Sequence, residues 1–394
     1  MYKYITSTER LESWCRAHRD VEWIALDTEF IAEQYYEPLL CLIQVASPRG
    51  NYLLDPMSIR DISPFWELLA HGDHETIVHA GQSELGFCYR YAGRFPKNLF
   101  DVQTAAGFVG LEYPAGYTNL LFRVLGCTIP GTESRTNWKA RPLTERQVIY
   151  ALDDVIYLYE VRKVLSQELY RRRRQGWFVE EMKNQMAAHL DLFSDSRWRR
   201  LVRNTCLDPH GLAVVKELWS WREETAKRRN CAPRHVLRDD LIMEFARRKL
   251  AGVQSIRNVR GMERKDLQRH LPELAKRISW AISLPEERCP KPGIKKNCSR
   301  FLVVGQLLYT ALGSICQNHG LAIGLVGTPS DVREWVAWRL DTRNLEELPR
   351  LGMGWRAQVV GKLFDDLLMG HTTIRIVDPH GTCPIDFADY DEEI

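Results

Sequence analysis

Between Val21 and Pro56 the apolar residues come in short runs, VEWIAL, PLLCLIQVAS and GNYLLDP, separated by polar or Gly/Pro punctuation. That is the pattern of β-strands. A further run, ETIVHA, ends on His79 and Ala80 and gives way to helical spacing from Ser83 to Tyr91. Strands followed by helices in this rhythm predict an α/β domain on a mixed sheet with flanking helices. From Thr144 onward the periodicity is helical. Residues 161–204 are strongly charged, with four consecutive arginines at 171–174, and read as connecting helices on the surface. Pro209 and Gly211 then break the chain, and apolar positions from Leu212 to Leu284 recur at helical spacing. After a linker by composition, PEERCPKPGIKKNC, the helical pattern returns over 299–367. No fixed-period repeat joins the two helical stretches, so the sequence gives no support to a solenoid. The predicted organisation is an α/β domain over 1–168, a basic helical connector over 169–207, two small all-α domains over 208–288 and 295–380, and an acidic, partly disordered tail over 381–394.

Composition narrows the class of protein. A chain of 394 residues with 45% hydrophobic and 27% charged content has material for two or three domains with cores of their own. The start of the chain lacks an apolar signal segment, and no stretch approaches the roughly 18 apolar residues of a membrane span. The ten cysteines are scattered without a CxxC pair, as expected of reduced thiols. A cytoplasmic protein is expected. The net charge of +3 conceals an asymmetry: residues 1–160 carry 14 Lys and Arg against 21 Asp and Glu, a net of −7, leaving +10 for the remainder. An acidic front and a basic back suit a metal-dependent enzyme joined to a nucleic-acid grip, although ordinary scatter of solvated charge gives the same count.

Three segments carry candidate chemistry. In IALDTEF, Asp27 and Glu29 are two residues apart and share one face of a strand. Adjacent carboxylates repel unless a hard divalent cation lies between them, but a lone D-x-E is also what a strand end turned to water looks like. In RPLTERQVIYALDDVIYLYEV, Thr144 and Gln147 form a capping box, and Tyr150 and Asp154 stand one helical turn apart. That pair can orient a metal-bound water, or be an ordinary surface pair; Asp153 points elsewhere. In IVHAGQSELGFCYRYAG, Glu84 falls at the start of a helix and can face back toward Asp27, with His79 as a hydrogen-bonded neighbour. Asp101 in NLFDVQTAAGF reads first as a helix N-cap.

Taken together and in order, IALDTEF, YYEPLLCLIQVA, LLDP, VHAG, FDVQTAA, SRTNWKARPLTERQ and YALDDVIYL resemble the ribonuclease D family over roughly residues 20–165. Residues from about 208 to 288 resemble the helical HRDC domain named for RecQ-type helicases and ribonuclease D, and the segment after 295 resembles a further helical domain of the bacterial family. The resemblance implies a ribonuclease-H-like exonuclease domain and a 3′→5′ exoribonuclease that trims transfer-RNA precursors or other structured RNA. It implies two divalent ions, Mg²⁺ or Mn²⁺, about 4 Å apart. Asp27 would bridge both, Glu29 and Asp154 would hold one, and Glu84 the other. Tyr150 would position the attacking water, and nucleoside 5′-monophosphates would leave.

The sequence departs from the family at Glu84, where aspartate is usual. Glutamate keeps the charge and adds roughly 1.5 Å of reach. It either substitutes as a ligand or leaves a weakened site and a protein that chiefly binds RNA; a DNA exonuclease of the same superfamily is the other alternative. Arg135, Trp138, Lys139 and Arg141, just before the Tyr150 helix, mix cations with an aromatic and are expected to grip substrate, unless Trp138 is a core anchor. The implied partner is RNA with a free 3′ end. No membrane and no obligate protein partner are implied.

Overall fold

The computed structural model describes residues 1–130, 133, 136–191, 193–194, 196–203, 205, 207–292, 301–340, 348–381 and 383–390. The chain divides into two compact units, one formed by Met1–Glu29, Leu42–His189 and Lys296–Ile394, the other by Phe30–Cys41 and Leu190–Lys295. Among the described residues no helix is long and apolar enough to cross a membrane.

The first unit is built on strands β1 (Tyr2–Ile5), β2 (Trp23–Ile31), β3 (Leu39–Ser47), β4 (Gly50–Leu54), β5 (Glu75–Val78) and β6 (Asn98–Asp101). They lie in the order β1-β4-β3-β2-β5-β6. β3 and β4 pair antiparallel, while β2, β5 and β6 run parallel, so the sheet is mixed. β1 (YKYI) is too short for its periodicity to announce it, and pairing with β4 defines it instead. The helices here are α1 (Thr8–Ala17), α2 (Ser63–His71), α3 (Gln82–Ala92), α4 (Val102–Phe108), α5 (Tyr117–Leu125), α6 (Glu145–Ile156), α7 (Leu158–Arg171) and α8 (Gln175–Leu190). The two-residue alternation of a strand decides what each face meets. Leu26, Thr76 and Val78 face Trp66 and Leu69 of α2 and Leu85 and Cys88 of α3. Ala25, Ile77 and Phe100 enter the core made with α4 and α7.

The second unit holds α9 (Arg199–Val202), α10 (Pro209–Arg229), α11 (Pro233–Val236), α12 (Asp239–Arg248), α13 (Val253–Arg257), α14 (Lys265–Gln268) and α15 (Leu271–Ile282). Asp208 caps α10 by accepting from the Gly211 N–H, with Pro209 in the first turn, where a missing N–H costs nothing. Leu218, Trp221, Phe245, Ile256, Leu274 and Ile278 form its core.

The chain then continues through α16 (Leu302–His319), α17 (Ile323–Val326), α18 (Pro329–Leu340) and α19 (Gly354–Met369) to strands β7 (Thr372–Ile376) and β8 (Ile385–Asp389). The expected second helical domain over 295–380 has no core of its own: it falls in the same compact unit as the sheet. Leu308, Leu312, Trp335, Trp355 and Phe364 belong to the same core as Phe100, Phe108 and Leu165 of the sheet unit. The Trp355 ring stands 4.8 Å from that of Phe108, edge-on. The connector over 169–207 is corrected as well. α8 buries Phe178, Glu181 and Met182, and Glu181 forms a buried bidentate ion pair with Arg356 at 2.6 and 2.8 Å. Nor is 381–394 simply a tail, because β8 pairs antiparallel with β7.

Candidate active site

β2 presents Asp27 and Glu29 on one face, as the strand period requires. α6 starts at a capping box in which the Thr144 hydroxyl accepts from the Gln147 N–H and the Gln147 side chain accepts from the Thr144 N–H. That fixed start sets the phase of the helix and points Asp154, in its third turn, at β2. Carboxylate oxygens of Asp27, Glu29 and Asp154 all lie within 4.8 Å of one another.

Such proximity is unfavourable for three anions. Burial, then the charge of Asp154, pushes Asp27 up to about 8. Burial, then Asp27, Asp154 and Glu84, pushes Glu29 up to about 9. Asp154 rises to about 7 through burial, although the neighbouring Tyr150 phenol pulls it down. Asp154 Oδ2 is buried without a hydrogen-bond partner. Three convergent carboxylates that resist ionisation, one with an orphaned oxygen, fit a hard divalent cation that takes oxygen ligands. Tyr150 itself is raised above the ordinary phenol value by burial and by Asp154, Glu29 and Asp27, so it stays protonated.

Glu84 stands outside that trio. It is the third residue of α3, buried, and its Oε1 accepts from the Thr28 hydroxyl at 2.5 Å. Burial and the charge of Asp27 push it up to about 8, while the Thr28 bond acts the other way. The turn leading into α3 is held by Asp101. Its carboxylate accepts from the N–H groups of Ala80 (3.2 Å) and Gly81 (3.1 Å) and also caps α4 through Gln103 (2.8 Å). Ala80 has φ of 54°, a left-handed conformation that costs a residue with a Cβ about 1 kcal/mol and that the Asp101 bonds sustain. A Cβ on Gly81 would fall 2.4 Å from Val78 Cγ2, so glycine is required there. His79 bonds through Nε2 to the Ala115 carbonyl at 2.9 Å, and burial lowers its pKa, which makes it a neutral neighbour.

The expected substrate grip divides. Trp138 is buried, only 2% exposed, with its ring 6.0 Å from that of Tyr150. It backs the tyrosine and has no free face on which a base could stack. Arg141 is committed to Asp55, donating from Nε at 2.8 Å and Nη2 at 2.7 Å, and to the carbonyls of Trp138 and Ala140. Trp138 takes the core-anchor alternative, and the Arg141 guanidinium is used within the protein. Lys139 is exposed, and Arg135 lies outside the described residues.

Sequence reasoning missed Thr28, which sits between the two strand acids, and Tyr117. The Tyr117 hydroxyl donates to the Asp153 carbonyl at 3.2 Å, tying α5 to the segment that carries Asp154. Burial and the charges of Asp154 and Asp27 raise its pKa. The middle position of D-T-E was a legible signal for Thr28; Tyr117 had none.

Residues 2–170 match the 3′-5′ exonuclease family and residues 211–278 the HRDC domain. The chain is 30% identical over 370 residues to ribonuclease D of Shewanella sp. (strain ANA-3), covering 92% of this chain and 93% of that one. It is 34% identical over 291 residues to ribonuclease D of Pseudomonas paraeruginosa, covering 73% and 77%. The crystal structure of Escherichia coli RNase D, described as an exoribonuclease involved in structured RNA processing, superposes with a TM-score of 0.81 at 27% identity over 94% of this chain and 99% of that one. The 3′-5′ exonuclease family is divalent-metal dependent, in keeping with the acidic cluster on β2 and α6. Ribonuclease D acts on RNA and HRDC domains bind nucleic acid. The chain belongs to the ribonuclease D family and is a 3′→5′ exoribonuclease.

Proposed function

We propose that the enzyme works with two divalent ions on RNA bearing a free 3′ end, in the cytoplasm, with structured transcripts such as transfer-RNA precursors as substrates. The observation that carries this reading is the convergence of the Asp27, Glu29 and Asp154 carboxylates around an unpartnered Asp154 Oδ2. Asp27, Glu29 and Asp154 would hold one ion, and Asp27 with Glu84 the other. When bound, divalent ions supply positive charge that neutralises the scissile phosphate and favours ionisation of water. The residues do the rest. Tyr150, protonated beside Asp154, orients the attacking water through its hydroxyl. Attack on the terminal phosphorus breaks the bond to the 3′-oxygen of the preceding nucleotide, releasing a nucleoside 5′-monophosphate and leaving a new 3′-hydroxyl. Trp138 and Tyr117 keep the site rigid by packing behind Tyr150 and tethering the Asp153 carbonyl.

Degradation of matched single-stranded RNA and DNA, each with a 3′-hydroxyl or a 3′-phosphate, in Mg²⁺ and in Mn²⁺, tests the proposal. RNA ending in a 3′-hydroxyl should be shortened fastest, with mononucleotides from the first time point. Equal rates on DNA, or oligonucleotide products from internal cuts, would refute it.

A further inference from the structure

The turn from α16 into α17 packs on the end of α4 and on the loop that follows it, and there backbone lies directly on backbone. The Ala322 N–H donates to the Gly107 carbonyl at 2.9 Å, and Arg174, 8% exposed, donates to the carbonyls of Phe108, His319 and Gly320. Tyr113 lies between the two: a Cβ on Gly107 would stand 3.2 Å from its Cβ and Cδ2, and a Cβ on Gly324 would fall 2.5 Å from its carbonyl oxygen. A glycine in α17 is what allows that approach. Two residues on, the Ala115 carbonyl accepts from His79 Nε2 at 2.9 Å and from Gln103 Nε2 at 2.8 Å. Pro114, its φ fixed by the ring, joins these two anchor points. Tyr117 follows at the start of α5 and donates to the Asp153 carbonyl at 3.2 Å, one residue before Asp154. The loop is thus held from the sheet side by His79 and Gln103 and from the C-terminal side by Gly324.

We propose that Gly324 and Tyr113 are positioning residues for hydrolysis: the bare α-carbon of Gly324 seats the Tyr113 carbonyl, and through Pro114 and Ala115 that contact sets Tyr117 where it holds the segment carrying Asp154. The inference rests on the reading of Asp154 as a metal ligand and goes beyond it, because it gives the C-terminal helices a part in turnover that is separate from any grip on RNA. The contact sets the size of the effect. A methyl group at 2.5 Å forces the loop and α17 apart by about 1 Å to restore an ordinary C···O separation of about 3.3–3.6 Å. A misplacement of about 1 Å far from the chemistry costs up to about 100-fold in rate, and loss of a group that supports a metal ligand costs about 10- to 100-fold in affinity or activity.

The test uses the full chain with Gly324→Ala, Tyr117→Phe, their double variant, Asp154→Asn and Phe364→Leu. Turnover of a short single-stranded RNA in Mg²⁺ gives kcat and KM, and the electron paramagnetic signal of free Mn²⁺ gives metal affinity without RNA. Gly324→Ala should lower kcat by about 10-fold at unchanged KM and weaken Mn²⁺ binding with it. Tyr117→Phe should do the same, and the double variant should be no worse than the poorer single one, because both break one linkage. Phe364 packs edge-on against Trp335 at 5.2 Å inside the C-terminal helices, so Phe364→Leu should lower the melting temperature and leave kcat and Mn²⁺ affinity as in wild type. Normal kcat in Gly324→Ala, a rise in KM alone, or losses that multiply in the double variant would overturn the inference. So would lost turnover with unaltered Mn²⁺ affinity, or a loss of kcat in Phe364→Leu equal to that in Gly324→Ala, which would reduce the helices to a stabilising cover. Should Gly324→Ala fail to fold, Tyr113→Ala loosens the same contact from the loop side and is combined with Tyr117→Phe in its place. Wild-type Mn²⁺ binding by Asp154→Asn would overturn the reading of Asp154 as a ligand and the inference with it, whereas a loss there with none in Gly324→Ala would overturn the inference alone.

Discussion

Replacing Arg356 with methionine should destabilise the unit that carries the active site by about 3 kcal/mol, at the lower end of the range for removing one partner of a buried ion pair. Arg356 is 3% exposed and donates to both oxygens of Glu181, to the Val326 carbonyl at 2.9 Å and to the Leu325 carbonyl at 3.0 Å. Its removal leaves a buried carboxylate supported by Trp355 Nε1 at 3.0 Å and by Arg350 at 3.8 Å. Those two remaining partners put the cost at the lower end. At about 2–4 °C per kcal/mol for a unit of this size, the melting temperature should fall by about 6–12 °C. Adding Glu181→Gln removes the stranded charge while keeping an acceptor for Trp355, so the double variant should recover about half of the loss. Thermal and urea unfolding followed by tryptophan fluorescence reads the effect, because Trp177 and Trp355 stack at 5.8 Å beside the pair. A loss below about 1 kcal/mol, or a double variant as unstable as the sum of the single ones, would refute the view that this pair ties the C-terminal helices to the sheet unit.

Two further outcomes are expected. The carboxyls of Asp27, Glu29 and Asp154 have folded values pushed up to about 8, 9 and 7, so the stability they give is fully present below their unfolded values near 4 and is lost as pH rises through about 7–9. Metal-free wild type should accordingly lose melting temperature relative to Asp27→Asn between pH 5 and pH 9, and Mn²⁺ should stabilise it more at pH 8 than at pH 5.5; a metal effect independent of pH would contradict the shared origin of these shifts. Arg141→Met should cost about 2 kcal/mol by stranding the buried Asp55, which keeps bonds from Tyr4, Ser58 and the Met57 N–H. The slope of log RNA affinity against log salt should not change, whereas a slope flatter by about 0.7 would return Arg141 to the phosphate-binding surface.

The parts of this site that the sequence disclosed are those set by local periodicity. A two-residue spacing on a strand and a four-residue spacing after a capping box orient Asp27, Glu29, Tyr150 and Asp154 without reference to the rest of the chain. Their convergence, and the position of Glu84, needed the family resemblance, because the acids come from segments more than 50 residues apart. Where distant partners decide a residue's role, composition misled. Trp138 and Arg141 have the chemistry of an RNA grip, yet burial and an aspartate 86 residues away assign them to the fold. The charged stretch after 169 hid Glu181, whose partner lies 175 residues on. A linker rich in Pro and Lys likewise suggested a new domain after 295, but the apolar faces of α16, α18 and α19 find their counterparts on α4, α7 and α8.

Initial rates on a 5′-labelled single-stranded RNA in Mg²⁺, for wild type, Asp27→Asn and Asp154→Asn, test whether the converging carboxylates are the hydrolytic centre. Wild type should shorten the RNA one nucleotide at a time from its 3′ end, and each variant should fall by about 100-fold or more while keeping its circular dichroism spectrum. Near-normal trimming by either folded variant would place the chemistry elsewhere on the chain.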